Sequence, residues 1–218
     1  AWTPVNYTAN KFNGPTPLRV ALEKSLNTVT ARLAAQIGME PIGQTIEKFG
    51  IMDHMPRLYA MALGAGETTP LRHTAAYAML ANGGKRITPT LIDRIQDRYG
   101  KTVFRADQRE CEGCGEAEWK NQPVPAIPDK REQIADPGSV FQLTTMLEGV
   151  VARGTGTVVK AVGKPIAGKT GTTNDWQDAW FVGFSPDLAA GVYIGYDEPV
   201  NLGSNETGGH LAAPVFRD

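Results

Sequence analysis

One stretch of the chain decides between two folds: Ala167-Gly168-Lys169-Thr170-Gly171-Thr172-Thr173-Asn174-Asp175. Together with the residues from Gly163 onward, it matches the phosphate-binding pattern G-x-x-x-x-G-K-S/T at every position. That pattern requires a helix that begins at the lysine, because the phosphates sit on the helix N-terminus. The residues after Lys169 are instead typical of turns and strands, and Pro165 lacks one of the amides that would hold a phosphate. A P-loop nucleotide-binding protein is therefore the weaker interpretation.

The second interpretation places the K-T-G residues on an edge strand that faces a nucleophilic serine. In such a site the lysine supplies positive charge and the threonine hydroxyls bind a substrate carboxylate. The glycine lets the substrate backbone approach closely, and the next amide contributes to an oxyanion hole. This chemistry expects a partner S-x-N motif, and Ser25-Leu26-Asn27 is one. The motif alone also fits an ordinary helix surface, but Ser25, Asn27 and Thr28 are residues that favour caps, so they predict a helix break.

Hydrophobic spacing predicts helices early in the chain and paired strands late. Apolar residues at steps of three and four predict an amphipathic pattern over 18–37, with Thr16 as its N-cap and Gly38 at its end. Further helices are predicted at 41–49, 70–81 and 137–154, and strands at 90–97, 102–104, 166–172, 179–184 and 190–196. This order indicates an α/β (α+β) domain with an antiparallel sheet rather than a repeating β-α-β array.

Composition excludes several classes of protein. The chain has 218 residues, 41% of them hydrophobic and 21% charged, which is typical of a globular domain. Its net charge of -1 lacks the basic excess that a nucleic-acid-binding protein shows. Apolar runs are all shorter than the roughly 18 residues that a membrane span needs. The chain opens without an initiator Met or a signal-peptide pattern, and we expect it to be a piece of a longer protein.

The two cysteines form a C-x-x-C pair, Cys111 and Cys114, in a polar stretch over 107–128. A structural zinc usually needs four ligands, and the three histidines lie far away in sequence. Thioredoxin-like redox chemistry needs the motif at a strand-to-helix junction, which the polar stretch does not offer. A local disulfide and two free thiols both remain open on these residues alone.

Motifs along most of the chain resemble the transpeptidase domain of class A penicillin-binding proteins, the bifunctional murein synthases. The similarity departs only over about 105–133, a probable inserted loop that contains both cysteines. The matching motifs are Trp2-x-Pro4-x-Asn6-Tyr7, Gly14-Pro15-x-Pro17-Leu18-Arg19, Ser25-Leu26-Asn27, Ala62-Leu63-Gly64, Thr69-Pro70-Leu71, Ala76 to Gly84, Gly149-Val150-Val151, Gly154-Thr155-Gly156, Ala167 to Asp175, Asp178 to Gly183 and Gly209 to Pro214.

The resemblance implies a penicillin-recognising serine transpeptidase fold, which is also the β-lactamase-like fold. It implies a peptidoglycan D,D-transpeptidase that needs no metal or cofactor: serine attacks a stem peptide ending in D-Ala-D-Ala, D-Ala leaves, and an amine on a neighbouring stem resolves the acyl-enzyme. β-Lactams would acylate the same serine. By position, Ser25 would relay a proton, Asn27 would bind the peptide carbonyl, and Lys169 would polarise Ser25. Thr170, Gly171 and Thr172 would form the substrate-binding strand.

One family motif is missing. The nucleophile lies in S-x-x-K upstream of S-x-N, and none of Ser25, Ser139, Ser185 and Ser204 has lysine three residues later. We therefore expect residues 1–218 to be a partial transpeptidase domain, inactive alone, whose nucleophile lies before Ala1. The resemblance further implies a parent protein on the periplasmic face of a bacterial inner membrane, held by an N-terminal anchor, and a glycosyltransferase as well. In that compartment a Cys111–Cys114 disulfide is expected. A non-catalytic sensor domain of the same fold is the alternative.

Overall fold

The computed structural model describes residues 3–8, 13–111, 114, 118 and 120–218, so Trp2 lies outside the described residues. The chain divides into two compact units, each described by itself below. The first comprises Ala1–Ile87 and Gln133–Asp218, and the second comprises Thr88–Glu132.

The first unit contains the α-helices, and they follow the predicted pattern closely. The helices are α1 (Leu18–Glu23), α2 (Asn27–Ile37), α3 (Met39–Lys48), α4 (Pro70–Ala81), α5 (Pro137–Arg153) and α6 (Ala212–Arg217), and short 3-10 turns cover Tyr59–Leu63, Thr157–Val162 and Asn174–Trp176. The predicted break between α1 and α2 is confirmed, and Gly38 ends α2 with a φ of 83°. Thr69 and Asp136 cap α4 and α5 by accepting backbone N–H bonds.

The predicted N-cap of α1 is wrong. Pro17 occupies the N-cap position with an extended backbone, and no side chain caps the helix. The Thr16 hydroxyl donates instead to the carbonyl of Gly14, 3.0 Å away. The hydroxyl is therefore used inside the preceding turn, and the helix begins one residue later than the sequence suggests.

A three-stranded antiparallel sheet forms the centre of the first unit. Its order is β3 (Ala167–Thr172), β4 (Asp178–Phe184) and β5 (Ala189–Gly195), and the register pairs Lys169 with Val182 and Thr170 with Phe181. β3 lies at an edge of this sheet. Since Lys169 lies within a strand and opens no helix, the phosphate-loop interpretation is wrong.

Helices cover both faces of this sheet. Directly opposed residues of an antiparallel pair share a face, so Thr170 and Phe181 lie on one face, and Lys169 and Val182 on the other. Phe181 packs among residues of α6 and of the 157–162 turn. On the second face, Ala167 and Phe184 pack with Leu147 of α5 and with partly buried residues of α1 and α4. Successive residues of β3 therefore face opposite sides of the sheet, and each side has its own hydrophobic core.

The second unit contains a two-stranded hairpin of β1 (Arg94–Gln96) and β2 (Thr102–Arg105), whose residues are all exposed. Both strands were predicted, and β1 is shorter than predicted. The unit begins at Thr88, well before the 105–133 region expected as an inserted loop. The chain leaves the first unit after Ile87 and returns to it at Gln133. Near these two points, Lys85 and Gln133 form an antiparallel bridge within the first unit.

Within the part of the chain that the structure describes, no helix combines the length and apolar character needed to cross a bilayer.

Candidate active site

A tight turn between α1 and α2 presents Ser25. Ser25 N donates to the carbonyl of Leu22 over 3.1 Å, and Leu26 N donates to that of Ala21 over 2.9 Å. These two bonds are the Schellman pattern that ends a helix with a left-handed residue, usually glycine. Here the left-handed residue is Ser25, with a φ of 53°. Such strain in a non-glycine residue is typical of functional positions, and it holds the hydroxyl outside the helical repeat.

The residues that follow are fixed by the chain segment 3–8. Asn6 Oδ1 accepts from the backbone N–H of Thr28 over 3.1 Å and lies 3.2 Å from its hydroxyl, so Asn6 caps α2 from outside the helix. Asn27 Nδ2 donates to the carbonyl of Val5 over 2.9 Å. An amide has two N–H donors and one acceptor oxygen. One donor therefore anchors Asn27, and the second donor has capacity for a ligand carbonyl.

Lys169 reaches from β3 to the turn at Ser25. Its ammonium donates to Ser25 Oγ over 2.8 Å and to the carbonyl of Thr170 over 3.0 Å. Burial lowers the pKa of Lys169 from 10.5 to about 8, because a desolvated ammonium is less stable than one in water. Ser25 Oγ thus accepts from Lys169, and its own O–H remains available as a donor.

The outer edge of β3 offers backbone amides. Thr173 N donates to the carbonyl of Asp178 over 3.1 Å. This bond shows which residues of β3 direct their backbone groups towards β4. Because bonding to the partner alternates along an antiparallel strand, Lys169 and Gly171 bond to β4. The amides of Thr170 and Thr172 therefore face away from the sheet, as an oxyanion hole at this edge would require.

The side chains of Thr170 and Thr172 are held by two neighbouring loops. Thr170 Oγ1 lies 2.6 Å from Thr155 Oγ1. Thr172 Oγ1 accepts from the backbone N–H of Gly208 over 3.1 Å. Both hydroxyls are thus oriented by groups that lie outside the K-T-G strand.

Packing against Trp180 gives a further reason for glycine at position 171. It lies directly opposite Trp180, and a Cβ on Gly171 would be 3.1 Å from the Cβ of Trp180. Trp180 is itself packed against His73 and Tyr193, with ring centroids 5.6 and 4.8 Å away. Tight packing inside the sheet therefore favours glycine here, in addition to the close substrate approach expected from the sequence.

A cavity of about 650 Å³ opens along this edge. Among the described residues, those that line it are Asn6, Tyr7, Thr8, Asn13, Lys24, Ser25, Leu26, Asn27, Thr155, Thr170, Thr172, Asn205, Thr207 and Gly209. None of these is Asp or Glu, whereas Lys24 lines the cavity and Lys169 touches it through Ser25. The cavity is therefore suited to an anionic ligand.

Glu23 and Thr155 support the site, although the sequence analysis gave neither of them a role. Glu23 is only 4% exposed, and its carboxylate is ion-paired with Arg153. Its carbonyl accepts from the backbone N–H of Thr155 over 3.2 Å. The only sequence signal for Thr155 was its position between two glycines, and no local pattern indicated an ion pair between Glu23 and Arg153, which are far apart in the chain.

The sulfur atoms of Cys111 and Cys114 are bonded to each other in the structure. No cluster of metal-ligating side chains occurs within residues 3–8, 13–111, 114, 118 and 120–218.

The site combines the edge strand β3, the strained Ser25 and the Lys169 ammonium that links them. This arrangement is that of a penicillin-recognising serine acyltransferase fold. A family model described as "Penicillin binding protein transpeptidase domain" matches residues 1–218. The chain belongs to this family.

Curated relatives include proteins named penicillin-binding protein 1A. The chain is 44% identical to the one from Rickettsia bellii, covering 100% of this chain and 28% of that protein. It is 41% identical to the one from Neisseria gonorrhoeae, covering 100% and 25%. The chain thus spans well under a third of the length of these relatives.

Solved structures agree on the fold. Penicillin-binding protein 1A from Haemophilus influenzae superposes with a TM-score of 0.83 at 29% identity, over 99% of this chain and 35% of that chain. PonA1 from Mycobacterium tuberculosis, solved in complex with penicillin V, has a TM-score of 0.76 at 21% identity, over 98% and 57%. The fold expected from the sequence, helices packed on an antiparallel sheet in a transpeptidase domain, is confirmed.

Proposed function

We propose that this chain forms part of a peptidoglycan D,D-transpeptidase that binds stem peptides and β-lactams. The observation that carries the proposal is the 2.8 Å contact between the Lys169 ammonium and Ser25 Oγ, which joins the K-T-G and S-x-N motifs at one cavity. In the reaction a serine oxygen attacks the carbonyl between the two terminal D-Ala residues, and the C–N bond breaks. The departing D-Ala takes a proton, and an amine of a second stem peptide then displaces the serine.

Each residue is given the role that the family resemblance implies, and its geometry supports that role. Ser25 accepts from Lys169 and passes its own proton towards the leaving nitrogen. Asn27 offers its second N–H to the peptide carbonyl. Thr170 and Thr172 bind the terminal carboxylate, and the outward-facing amide of Thr172 donates to the oxyanion. Lys169 favours the anionic ligand through its charge, in a cavity that lacks carboxylates among its described lining residues.

The nucleophile of this proposal is a serine in an S-x-x-K motif outside the chain. None of Ser25, Ser139, Ser185 and Ser204 has a lysine at the spacing that would deprotonate it. The 218-residue chain alone is therefore expected to form no acyl-enzyme. We place the parent protein on the periplasmic face of a bacterial inner membrane, where a Cys111–Cys114 disulfide persists, and we propose that it also carries glycosyltransferase activity.

The proposal is tested in the polypeptide that carries this chain together with the S-x-x-K segment. Lys169→Ala should lower the rate of labelling by a fluorescent penicillin roughly a hundredfold or more, the usual effect of losing a preorganised electrostatic group. Lys160→Ala removes an exposed lysine of a 3-10 turn and serves as the matched control. Transfer of a donor peptide to an amine acceptor separates a transpeptidase from a sensor, which stops at the acyl-enzyme. Labelling that survives Lys169→Ala unchanged, or a melting temperature that rises with ATP, would contradict the proposal.

A further inference from the structure

Thr155 lies beside the carboxylate-binding strand without belonging to it. It occupies the loop between α5 and the 157–162 turn and lines the same cavity as Thr170. The two hydroxyl oxygens are 2.6 Å apart, a normal distance for an O–H to O hydrogen bond. The hydrogen-bonding capacity that Thr170 has left for a ligand therefore depends on this contact.

The backbone of Thr155 is anchored firmly. Its N–H donates to the carbonyl of Glu23, the residue that ends α1 just before the turn at Ser25. A Cβ on Gly154 would collide with that same carbonyl, and a Cβ on Gly156 would lie 3.0 Å from the Phe181 ring. The glycines thus let the loop press against α1 and β4 at once. The Glu23–Arg153 ion pair fixes the end of α5 that leads into the loop.

The direction of the hydrogen bond decides what Thr170 can do. Each hydroxyl has one proton, and an ionised carboxylate only accepts hydrogen bonds. If Thr170 donates to Thr155, its proton is unavailable and its lone pairs face the anion. If Thr155 donates to Thr170, the proton of Thr170 is free to point at the carboxylate. Only the second arrangement makes Thr170 a carboxylate donor.

We propose that Thr155 is a positioning residue for carboxylate recognition: its hydroxyl donates to Thr170 Oγ1 and so directs the Thr170 proton into the cavity. The proposal rests on the proposed function, in which Thr170 binds the terminal carboxylate. It adds a second threonine, from a separate loop, to the recognition of the ligand's anionic end.

The test uses the polypeptide with the S-x-x-K segment and two ligands, a penicillin and its methyl ester, which lacks the charged carboxylate. Saturation kinetics of acylation separate the dissociation constant of the first complex from the acylation rate constant. Thr155→Val keeps the shape of the side chain and removes its proton. It should raise the dissociation constant of the penicillin roughly fivefold, the scale of a hydrogen bond between neutral groups, and leave that of the ester unchanged.

Three further variants sharpen the test. Thr155→Ser keeps the hydroxyl and should restore binding. Thr170→Val removes the carboxylate donor itself and should lose at least as much as Thr155→Val, and the double variant should lose little more than Thr170→Val, because Thr155 acts only through Thr170. Thr157→Val, at the start of the following 3-10 turn and not among the described lining residues of the cavity, is the control and should bind like the parent.

The outcomes are distinct. If Thr155→Val weakens the penicillin and the ester equally, Thr155 is only structural and the proposal is overturned. The proposal is equally overturned if the penicillin binds Thr155→Val as tightly as the parent, although the proposed function then stands. If the parent protein itself forms no adduct with the penicillin, the proposed function fails, and this proposal fails with it.

Discussion

The positive charge that Lys169 brings to the cavity depends on pH, because burial destabilises the protonated form of this side chain. Burial lowers the pKa of Lys169 from 10.5 to about 8, so near neutral pH the ammonium is still the dominant form in the folded protein. Between these two values the unfolded chain binds the proton and the folded chain has lost it. The contribution of Lys169 to the free energy of unfolding therefore rises with pH across this window and is flat outside it.

At the residue scale, we predict that acylation by a carboxylate-bearing penicillin falls as the pH rises through about 8. Loss of the proton removes the positive charge that attracts the anion and weakens the donor that polarises Ser25. The measurement is the second-order labelling rate constant of the polypeptide with the S-x-x-K segment from pH 6.5 to 9.5, with the melting temperature recorded at each pH as the control for folding. A rate that climbs through this range in the parent but not in Lys169→Ala would mean that neutral Lys169 acts as a base, contrary to the role given to it here.

At the scale of elements, the sequence predicted the break between α1 and α2 but not its geometry. Three cap-forming residues within four positions were enough to locate it. The left-handed backbone of Ser25 and the capping of α2 by Asn6 follow from tertiary contacts, which local residue preferences do not contain. The wrong N-cap at Thr16 has the same origin, since its hydroxyl found a partner in the turn before the helix.

The turn at Ser25 gives the second prediction. With a φ of 53° at this position, Ser25→Gly should leave the protein more stable than Ser25→Ala by about 1 kcal/mol, because only glycine adopts this backbone without a steric penalty. Both variants lose the hydroxyl and should be equally impaired in acylation. Urea unfolding measures the difference.

The same pair of substitutions at Ser139, in the first turn of α5, is the control for the Ser25 comparison. There glycine should be the less stable variant by about 1 kcal/mol, because the backbone is helical. Equal stability of the two Ser25 variants would show that the turn relaxes when the hydroxyl is removed.

At the scale of the whole molecule, two motifs 144 residues apart in the chain meet at one hydrogen bond. The sequence could predict both motifs and the strand that carries one of them, but their meeting depends on α1 and α5 packing on one face of the sheet. The second unit was harder to delimit. Its strands have the apolar residues of a core strand, including Ile95, Val103 and Phe104, yet all three are exposed. Hydrophobic pattern alone therefore could not show that β1 and β2 belong to the second unit.

The borders of the second unit give the last prediction, which is that Thr88–Glu132 can be replaced by a short Gly/Ser linker. Lys85 and Gln133 already form a bridge, and Ile134 N donates to the carbonyl of Gly84 over 2.8 Å, so the ends to be joined are adjacent. Closing a shorter loop also costs less entropy. In the polypeptide with the S-x-x-K segment, we expect a melting temperature within a few degrees of the parent and penicillin labelling within about twofold, since β3 and the turn at Ser25 lie in the first unit.

Gly84→Ala is the matched comparison: with a φ of 82° and a Cβ that would lie 2.8 Å from the carbonyl of Ala135, it should destabilise the protein more than the excision does. An excised protein that unfolds, or that folds but no longer reacts with penicillin, would show that the second unit supports the transpeptidase site.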